Sequence, residues 1–184
     1  MNYTKNKAIF LDRDGTINVE KNYLYKIEDF EFEDGVIEGL KILQDLEYKL
    51  VIISNQSGIG RGYYTKEDAD KLFEYMYQQL EKNNIHIDKV YYCPHYNEEC
   101  NCRKPKLGLF YKACDELNID FSRSYAIGDK IRDVAICEKE PVKGIIITNE
   151  QIDKNVNAKI CKNFMEAVEI IKKEEISLYG NSKS

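Results

Sequence analysis

"AIFLDRDGT", running from Ala8 to Thr16, is the stretch from which the rest of the chain can be read. Its four apolar residues are too few for a helix and end abruptly on Asp12, Arg13, Asp14 and Gly15. They read as a short buried strand that delivers charge to its carboxyl end. In extended backbone, residues two apart point the same way, which sets Asp12 and Asp14 side by side, while Gly15 permits a tight exit. Carboxylates held together repel, and a divalent cation between them relieves the repulsion.

The same pattern recurs along the chain. β-branched runs at 49–54 ("KLVIIS"), 89–93 ("KVYYC"), 124–128 ("SYAIG") and 142–148 ("VKGIIIT") alternate with helical spacings. One helix keeps Val36, Ile37, Leu40, Leu43 and Leu46 on a face. A longer one starts at Thr65, with Asp68 as its capping partner, and runs toward Asn83 over Leu72, Phe73, Met76, Tyr77 and Leu80. Further helices are predicted near 108–117, 131–139 and 163–175. Five strands separated by helices predict an α/β three-layer sandwich with a parallel, Rossmann-like sheet and right-handed crossovers. No linker or repeat interrupts the pattern, so 1–184 is expected to form a single domain, frayed only at the final "YGNSKS".

Composition narrows the function classes. Hydrophobic residues make up 43% and charged residues 32%, a globular balance. The formal net charge of -5, with lysines scattered among acids, argues against nucleic acid or an anionic membrane and for a small-molecule partner. The apolar run at 8–11 is too short for a signal sequence or a membrane span, so a cytosolic monomer is expected. In that compartment the six cysteines are expected to be reduced thiols. Cys114, Cys137 and Cys161 fall in helix-like stretches and read as small core residues. Tyr63, Tyr64, Tyr91 and Tyr92 read as open-faced, marking either an interface or the rim of a site.

Ligands of such sheets bind beyond the carboxyl ends of the strands, and there the suspicious chemistry gathers. With Mg²⁺ on one oxygen of Asp12, the other is free as a nucleophile toward phosphorus. Asp14 is placed to give a proton to the leaving alkoxide and later take one from water. Ser54 offers a hydroxyl, the amides of Asn55 and its followers suit phosphate oxygens, and Lys104 offers a cation to the phosphoryl group. Asp129 completes a magnesium set of Asp12, Asp14 and Asp129. Asp133 either supports that set or faces solvent.

A second cluster follows the third strand. Cys93, His95, Cys100 and Cys102 form C-x-H-x4-C-x-C, three thiolates and one imidazole in a short loop, which suits a closed tetrahedral Zn²⁺ site. A disulfide pair or unrelated thiols are the alternatives. Four protein ligands leave no open position, so the zinc is structural, with about 10 kcal/mol available to order a loop that has no core of its own. Fixing that loop also fixes Arg103 and Lys104.

In their order, "DRDGT", Ser54, Lys104 and "GDKIRD" resemble the motifs of the haloacid dehalogenase superfamily of aspartate-nucleophile phosphatases. The resemblance implies Asp12 as nucleophile, Asp14 as acid/base, Ser54 and Lys104 as phosphoryl clamps and Asp129 as a magnesium ligand. With the zinc loop, "FLDRDGTIN", "NQSGIGRG", "YYCPH", "CNCRKP" and "GDK" are similar to its histidinol-phosphatase and heptose-bisphosphatase branch, from about Ala8 to Thr148. That branch has no large cap domain. It implies a sugar bisphosphate substrate, contacted loosely by Val19 to Asn22 and by Asn55, Gln56, Ser57, Gly58, Arg103 and Lys130, with Arg103 and Lys130 on the second phosphate. In this chain "KPKLGL" replaces the branch's usual proline-glycine turn, and the zinc loop is short. Histidinol phosphate is the competing substrate, although its amine would want acidic contacts where Arg103 stands. A zinc-stabilised module without activity is a further alternative. A polynucleotide 3′-phosphatase would require a basic groove that the dispersed charge does not supply.

Overall fold

Strand β1 (Ala8–Leu11) lies inside a six-stranded sheet, with β2 (Lys49–Asn55) and β3 (Lys89–Cys93) on one side. On its other side follow β4 (Tyr125–Gly128), β5 (Lys143–Ile147) and β6 (Lys159–Cys161). Every pairing is parallel. The computed structural model describes residues 4–97, 99–152 and 155–180, the side chains of 178–180 excepted. The last four residues of the stretch expected to fray, 181–184, lie outside the described residues.

The inner strands β1, β2, β4 and β5 bury both faces, as parallel strands do when helices cover the sheet on both sides. Ile9, Leu11, Leu50 and Ile52 point into one core layer with Leu40 of α1 (Val36–Asp45), Met76 of α3 (Lys66–Glu81, which follows the one-turn α2, Ser57–Gly60) and Val168 of α5 (Phe164–Gly180). The alternate residues Ala8, Phe10, Val51 and Ile53 point into the other, with Phe110 of α4 (Gly108–Leu117) and Ile136. Three layers result. Thr65 caps α3 through the predicted box, its hydroxyl accepting from the Asp68 N–H at 3.1 Å.

Some expectations are corrected. Beta6 was not foreseen: three residues, two of them exposed, are too short to show alternation. Cys161 therefore lies on a strand rather than a helix. The segment predicted helical near 131–139 is a 3₁₀ helix, Ile131–Glu138. Of the tyrosines read as open-faced, Tyr64 and Tyr91 are buried and Tyr92 is half-buried, its hydroxyl on Asp70. Only Tyr63 is exposed, packed edge-on against Tyr23.

Strand order reverses at β1 and β4, since the chain moves outward from β1 in one direction and then returns to place β4 on its other flank. This switch opens a crevice at the carboxyl ends of the two strands. Asp12 follows β1 and Asp129 follows β4.

Candidate active site

A buried cation organises the crevice. Lys104 Nζ lies 2.7 Å from Asp12 Oδ1 and 2.8 Å from Asp133 Oδ1, and donates to the Ile53 carbonyl at 2.6 Å. All three charged side chains are almost fully withdrawn from water. Burial, then the neighbouring Asp133, hold the Asp12 carboxyl above the usual carboxylate range, against the pull of Lys104. Lys104 is in turn held up by the two carboxylates, which outweigh its burial. One positive charge thus faces two negative ones, an imbalance that suits a further cation.

Asp129 supplies the other side. Oxygens of Asp12, Asp129 and Asp133 lie within 4.8 Å of one another, a hard-oxygen set of the kind Mg²⁺ takes. Two glycines allow this approach. A Cβ on Gly15, whose φ is +79°, would stand 2.6 Å from Asp129 Oδ2, and one on Gly128 would stand 2.2 Å from the Asp133 Cβ. Asp133 is buried and caps the turn, accepting from the Lys130 N–H at 3.0 Å, so it supports the cluster and does not face solvent.

The expected set included Asp14, and here the structure differs. The carboxylate of Asp14 is turned to other partners: Oδ1 accepts from Arg13 Nε at 3.1 Å, Arg13 Nη2 at 2.8 Å and Asn18 Nδ2 at 3.0 Å, while Oδ2 accepts from Gln56 Nε2 at 3.0 Å. The backbone turns at Gly15, whose N–H donates to the Asn18 carbonyl, so the extended geometry that would keep both aspartates together ends one residue too early. Asp133 takes the third place in the cluster.

The "NQSG" turn after β2 also differs from a row of substrate contacts. Asn55 reaches across to the loop bearing Lys104, accepting from its N–H at 2.9 Å and donating to its carbonyl at 3.0 Å. Gln56 is buried. Its amide nitrogen bonds both Asp14 and the Ser54 hydroxyl, at 2.8 Å, and its carbonyl accepts from the Tyr64 hydroxyl at 2.6 Å. Its backbone N–H is spent on the Cys93 carbonyl. Gly58 packs beneath Tyr64, where a Cβ would stand 2.1 Å from the ring. Ser57 alone of the last three opens on the cleft without these inward bonds.

The thiol nest assembles as expected. Cys93, at the end of β3, lies 3.4 Å from His95 Nδ1, 3.5 Å from Cys100 Sγ and 3.0 Å from Cys102 Sγ, and Cys102 Sγ lies 3.3 Å from His95 Nδ1. Single-ion bonds of about 2.0–2.3 Å span such distances, and the Cys₃His chemistry is that of a closed zinc site. All six cysteines are free thiols. Burial pushes the Cys93 thiol up, whereas at Cys100 the opposing burial is overcome by the Arg103 N–H and the Cys102 thiol, which bring it down to about 6. Arg103 Nη1 donates to the His95 carbonyl at 3.1 Å, so its guanidinium leans on the nest.

Asp12 and Asp14 open on a cleft of about 240 Å³ lined also by Arg61, Arg103, Arg132, Glu20 and Tyr23. Lys130 is elsewhere. It pairs with Asp129 at 3.1 Å and lines a neighbouring cleft, so the structure does not bring it beside Arg103. Sequence reasoning missed Arg61 and Arg132. Both lie inside stretches already singled out, "NQSGIGRG" and "GDKIRD", which was the signal that would have found them.

A family model described as Polynucleotide kinase 3 phosphatase matches residues 7–133, from the residue before β1 to Asp133. Among solved structures, a D,D-heptose 1,7-bisphosphate phosphatase from B. bronchiseptica, complexed with magnesium and phosphate, shares the fold at TM-score 0.81. The match covers 91% of this chain and 99% of that one at 22% identity. The family match over residues 7–133 defines the class, that family of phosphatases. A Campylobacter jejuni D-glycero-alpha-D-manno-heptose-1,7-bisphosphate 7-phosphatase is 44% identical over 94% of this chain and 99% of its own length. The beta-named enzyme of Helicobacter pylori strain J99 is 44% identical over 92% and 99%. Within its class the chain belongs to the D-glycero-D-manno-heptose-1,7-bisphosphate 7-phosphatase family.

Proposed function

We propose that this chain removes the C7 phosphate of D-glycero-D-manno-heptose 1,7-bisphosphate, in the biosynthesis of nucleotide-activated heptose, with Asp12 as nucleophile. The observation that carries the mechanism is the Asp12–Lys104–Asp133 bridge. Lys104 occupies Oδ1 of Asp12, which leaves Oδ2 without a hydrogen bond among the described residues and in the cleft. That oxygen attacks phosphorus and forms an aspartyl phosphate as the bond from phosphorus to the C7 oxygen breaks. The departing oxygen takes a proton from Asp14. Asp14 then takes a proton from the water that attacks the aspartyl phosphate, and inorganic phosphate leaves. The Ser54 hydroxyl holds a phosphoryl oxygen, and Lys104, its hydrogens on Asp12, Asp133 and the Ile53 carbonyl, supplies positive charge beside the group. A divalent cation, Mg²⁺ by the oxygen chemistry of Asp12, Asp129 and Asp133, supplies charge neutralisation at the phosphoryl group when bound. Zn²⁺ held by Cys93, His95, Cys100 and Cys102 would have four protein ligands and no open position, and would serve structure.

We place the second phosphate against Arg103 with Arg61 and Arg132, because all three guanidiniums line the cleft that holds Asp12. Guanidinium forks bind phosphate in pairs of hydrogen bonds, a geometry an ammonium lacks. Lys130 instead offsets the charge of Asp129. Six free thiols support the cytoplasm as the compartment, and among the described residues no helix is long and apolar enough to cross a membrane.

A kinetic panel tests this. Heptose 1,7-bisphosphate should exceed heptose 7-phosphate in kcat/KM by about 10²-fold, since a charge-paired phosphate contributes on the order of 3 kcal/mol, and heptose 1-phosphate should accumulate. Running both anomers assigns the anomeric preference, on which the relatives' names divide. Equal rates on bisphosphate and 7-phosphate, or a preference for histidinol phosphate, would overturn the reading.

A further inference from the structure

The amide of Gln56 sits between the two groups on which proton transfer and phosphoryl binding depend. Its nitrogen has two hydrogens, and both are committed, to Asp14 Oδ2 at 3.0 Å and to Ser54 Oγ at 2.8 Å. The orientation is fixed by chemistry. An ionised carboxylate only accepts, so the nitrogen must face Asp14, and the Tyr64 hydroxyl on the carbonyl holds the amide that way round. Tyr64 is itself pinned, stacked on Tyr25 at 5.2 Å with the rings 13° apart, and seated on Gly58.

Two consequences follow for the reacting atoms. Among the described residues Oδ1 of Asp14 takes three donors and Oδ2 takes one, Gln56, so Oδ2 is the oxygen with capacity left to carry a proton. The Ser54 oxygen accepts from Gln56, so its own O–H is free to turn outward and donate to a phosphoryl oxygen. A buried amide with every hydrogen used holds both groups in one geometry, and misplacement of such groups by even 1 Å costs about 10²-fold in rate.

We propose that Gln56 is a positioning residue rather than a substrate contact: it aims Oδ2 of Asp14 at the leaving oxygen and directs the Ser54 hydroxyl toward the phosphoryl group, with Tyr64 as its lock. The inference rests on Asp14 being the acid/base, as proposed above, and is independent of which phosphate ester is the natural substrate.

The test compares Gln56→Met, Gln56→Glu and Tyr64→Phe with the parent enzyme on heptose bisphosphate and on a series of aryl phosphates of graded leaving-group acidity. Gln56→Glu keeps the size and removes the paired donors, and Tyr64→Phe keeps the ring, so at least one folded variant, checked by its melting temperature, reports. Both Gln56 variants should lose about 10²-fold in kcat on the sugar phosphate with KM changed less than about threefold. On aryl esters the loss should shrink as the leaving group becomes more acidic, because such groups need less protonation. Tyr64→Phe should show the same trend at a few-fold. A loss confined to KM would make Gln56 a substrate contact and overturn the proposal. So would an unchanged slope against leaving-group acidity, or full activity in Gln56→Glu. If the parent hydrolyses aryl phosphates and not heptose bisphosphate, the substrate reading fails while the slope still decides the role of Gln56.

Discussion

The aspartate centre and the thiol nest are neighbours in the chain and differ in what makes them rigid. Asp12 and Asp129 each extend a strand whose preceding residues are buried core, and Asp133 belongs to a 3₁₀ helix whose Val134 and Ile136 are buried beside it. These side chains inherit their positions from the sheet. His95, Cys100 and Cys102 lie on a loop without regular structure, and only Cys93 ends a strand. The loop is strapped to itself, with Lys106 Nζ on the Cys100 carbonyl and the Gly108 N–H on the Asn101 carbonyl. One centre is built on the sheet, and the other gathers four metal-ligating side chains mostly from a loop. Arg103 and Lys104 join them, Arg103 donating to the His95 carbonyl and Lys104 reaching Asp12.

The sharpest way to break this comparison is at Asp12. Asp12→Asn removes the nucleophile from a frame that does not depend on it, so activity should fall by 10⁴-fold or more, on the order seen when nucleophiles are deleted. Melting should stay within a few degrees of the parent. Recovered activity after deamidation is excluded would refute the assignment. Lys104→Met should show a loss of about 10²–10³-fold in kcat and, unlike Asp12→Asn, a large loss of stability. It leaves two buried carboxylates facing one another, a change that costs about 3–5 kcal/mol in comparable buried pairs, readable by denaturant titration.

Cys100→Ser probes the other side. It should release zinc, measurable as a fall from about one ion per chain, and lower kcat by roughly 10–100-fold through displacement of Arg103 and Lys104. Far-ultraviolet circular dichroism should be little altered, since the core lies elsewhere. Mild chelation of the parent should remove activity that Mg²⁺ restores at once, with zinc retained. Full activity in a zinc-free Cys100→Ser enzyme would show that the nest positions nothing.

The smallest effect is expected at the opposite edge. Glu174 on α5 accepts from Lys143 and Lys159 at 2.6 Å and from the Tyr125 hydroxyl at 2.7 Å, near the amino ends of β4, β5 and β6. Burial acts to raise its carboxyl, and these donors overcome that and bring it from 4.5 to about 2. A carboxyl lowered on folding contributes stability above its unfolded value, here near 4.5, and that contribution is lost as pH falls toward about 2. Glu174→Gln should therefore cost no more than about 1 kcal/mol at pH 7, given the solvent screening of these partly exposed groups. The difference from the parent should shrink below pH 4.5 and vanish only below about pH 2, with kcat unchanged throughout. A constant difference across pH would assign the effect to packing.

The pattern of strands and the residues at their tips were legible because each is a local property. An apolar run followed by Asp12, or by Asp129, announces both an element and a charge at its end. The Cys₃His spacing was legible for the same reason. Pairings between distant segments were not. Nothing in "NQSG" tells that Asn55 grips the Lys104 backbone or that Gln56 turns inward to Asp14. The exchange of Asp133 for Asp14 in the oxygen cluster depends on where the turn at Gly15 begins and on the missing Cβ of Gly128, which only coordinates reveal. Arg132 was hidden because its neighbour Lys130 offered a cation closer to the motif, while the 3₁₀ helix that follows carries Arg132 to the cleft.

The bridge made by Lys104 also bears on the order in which this protein emerges from the ribosome. Its ammonium meets an aspartate 92 residues upstream and another, Asp133, that is synthesised later. A nascent chain that has completed only the first three strands carries the nucleophile but lacks Asp129, Asp133 and the flank of the crevice that β4 builds. The carboxylate cluster therefore closes only once the chain has reached Asp133, well past the midpoint of its synthesis.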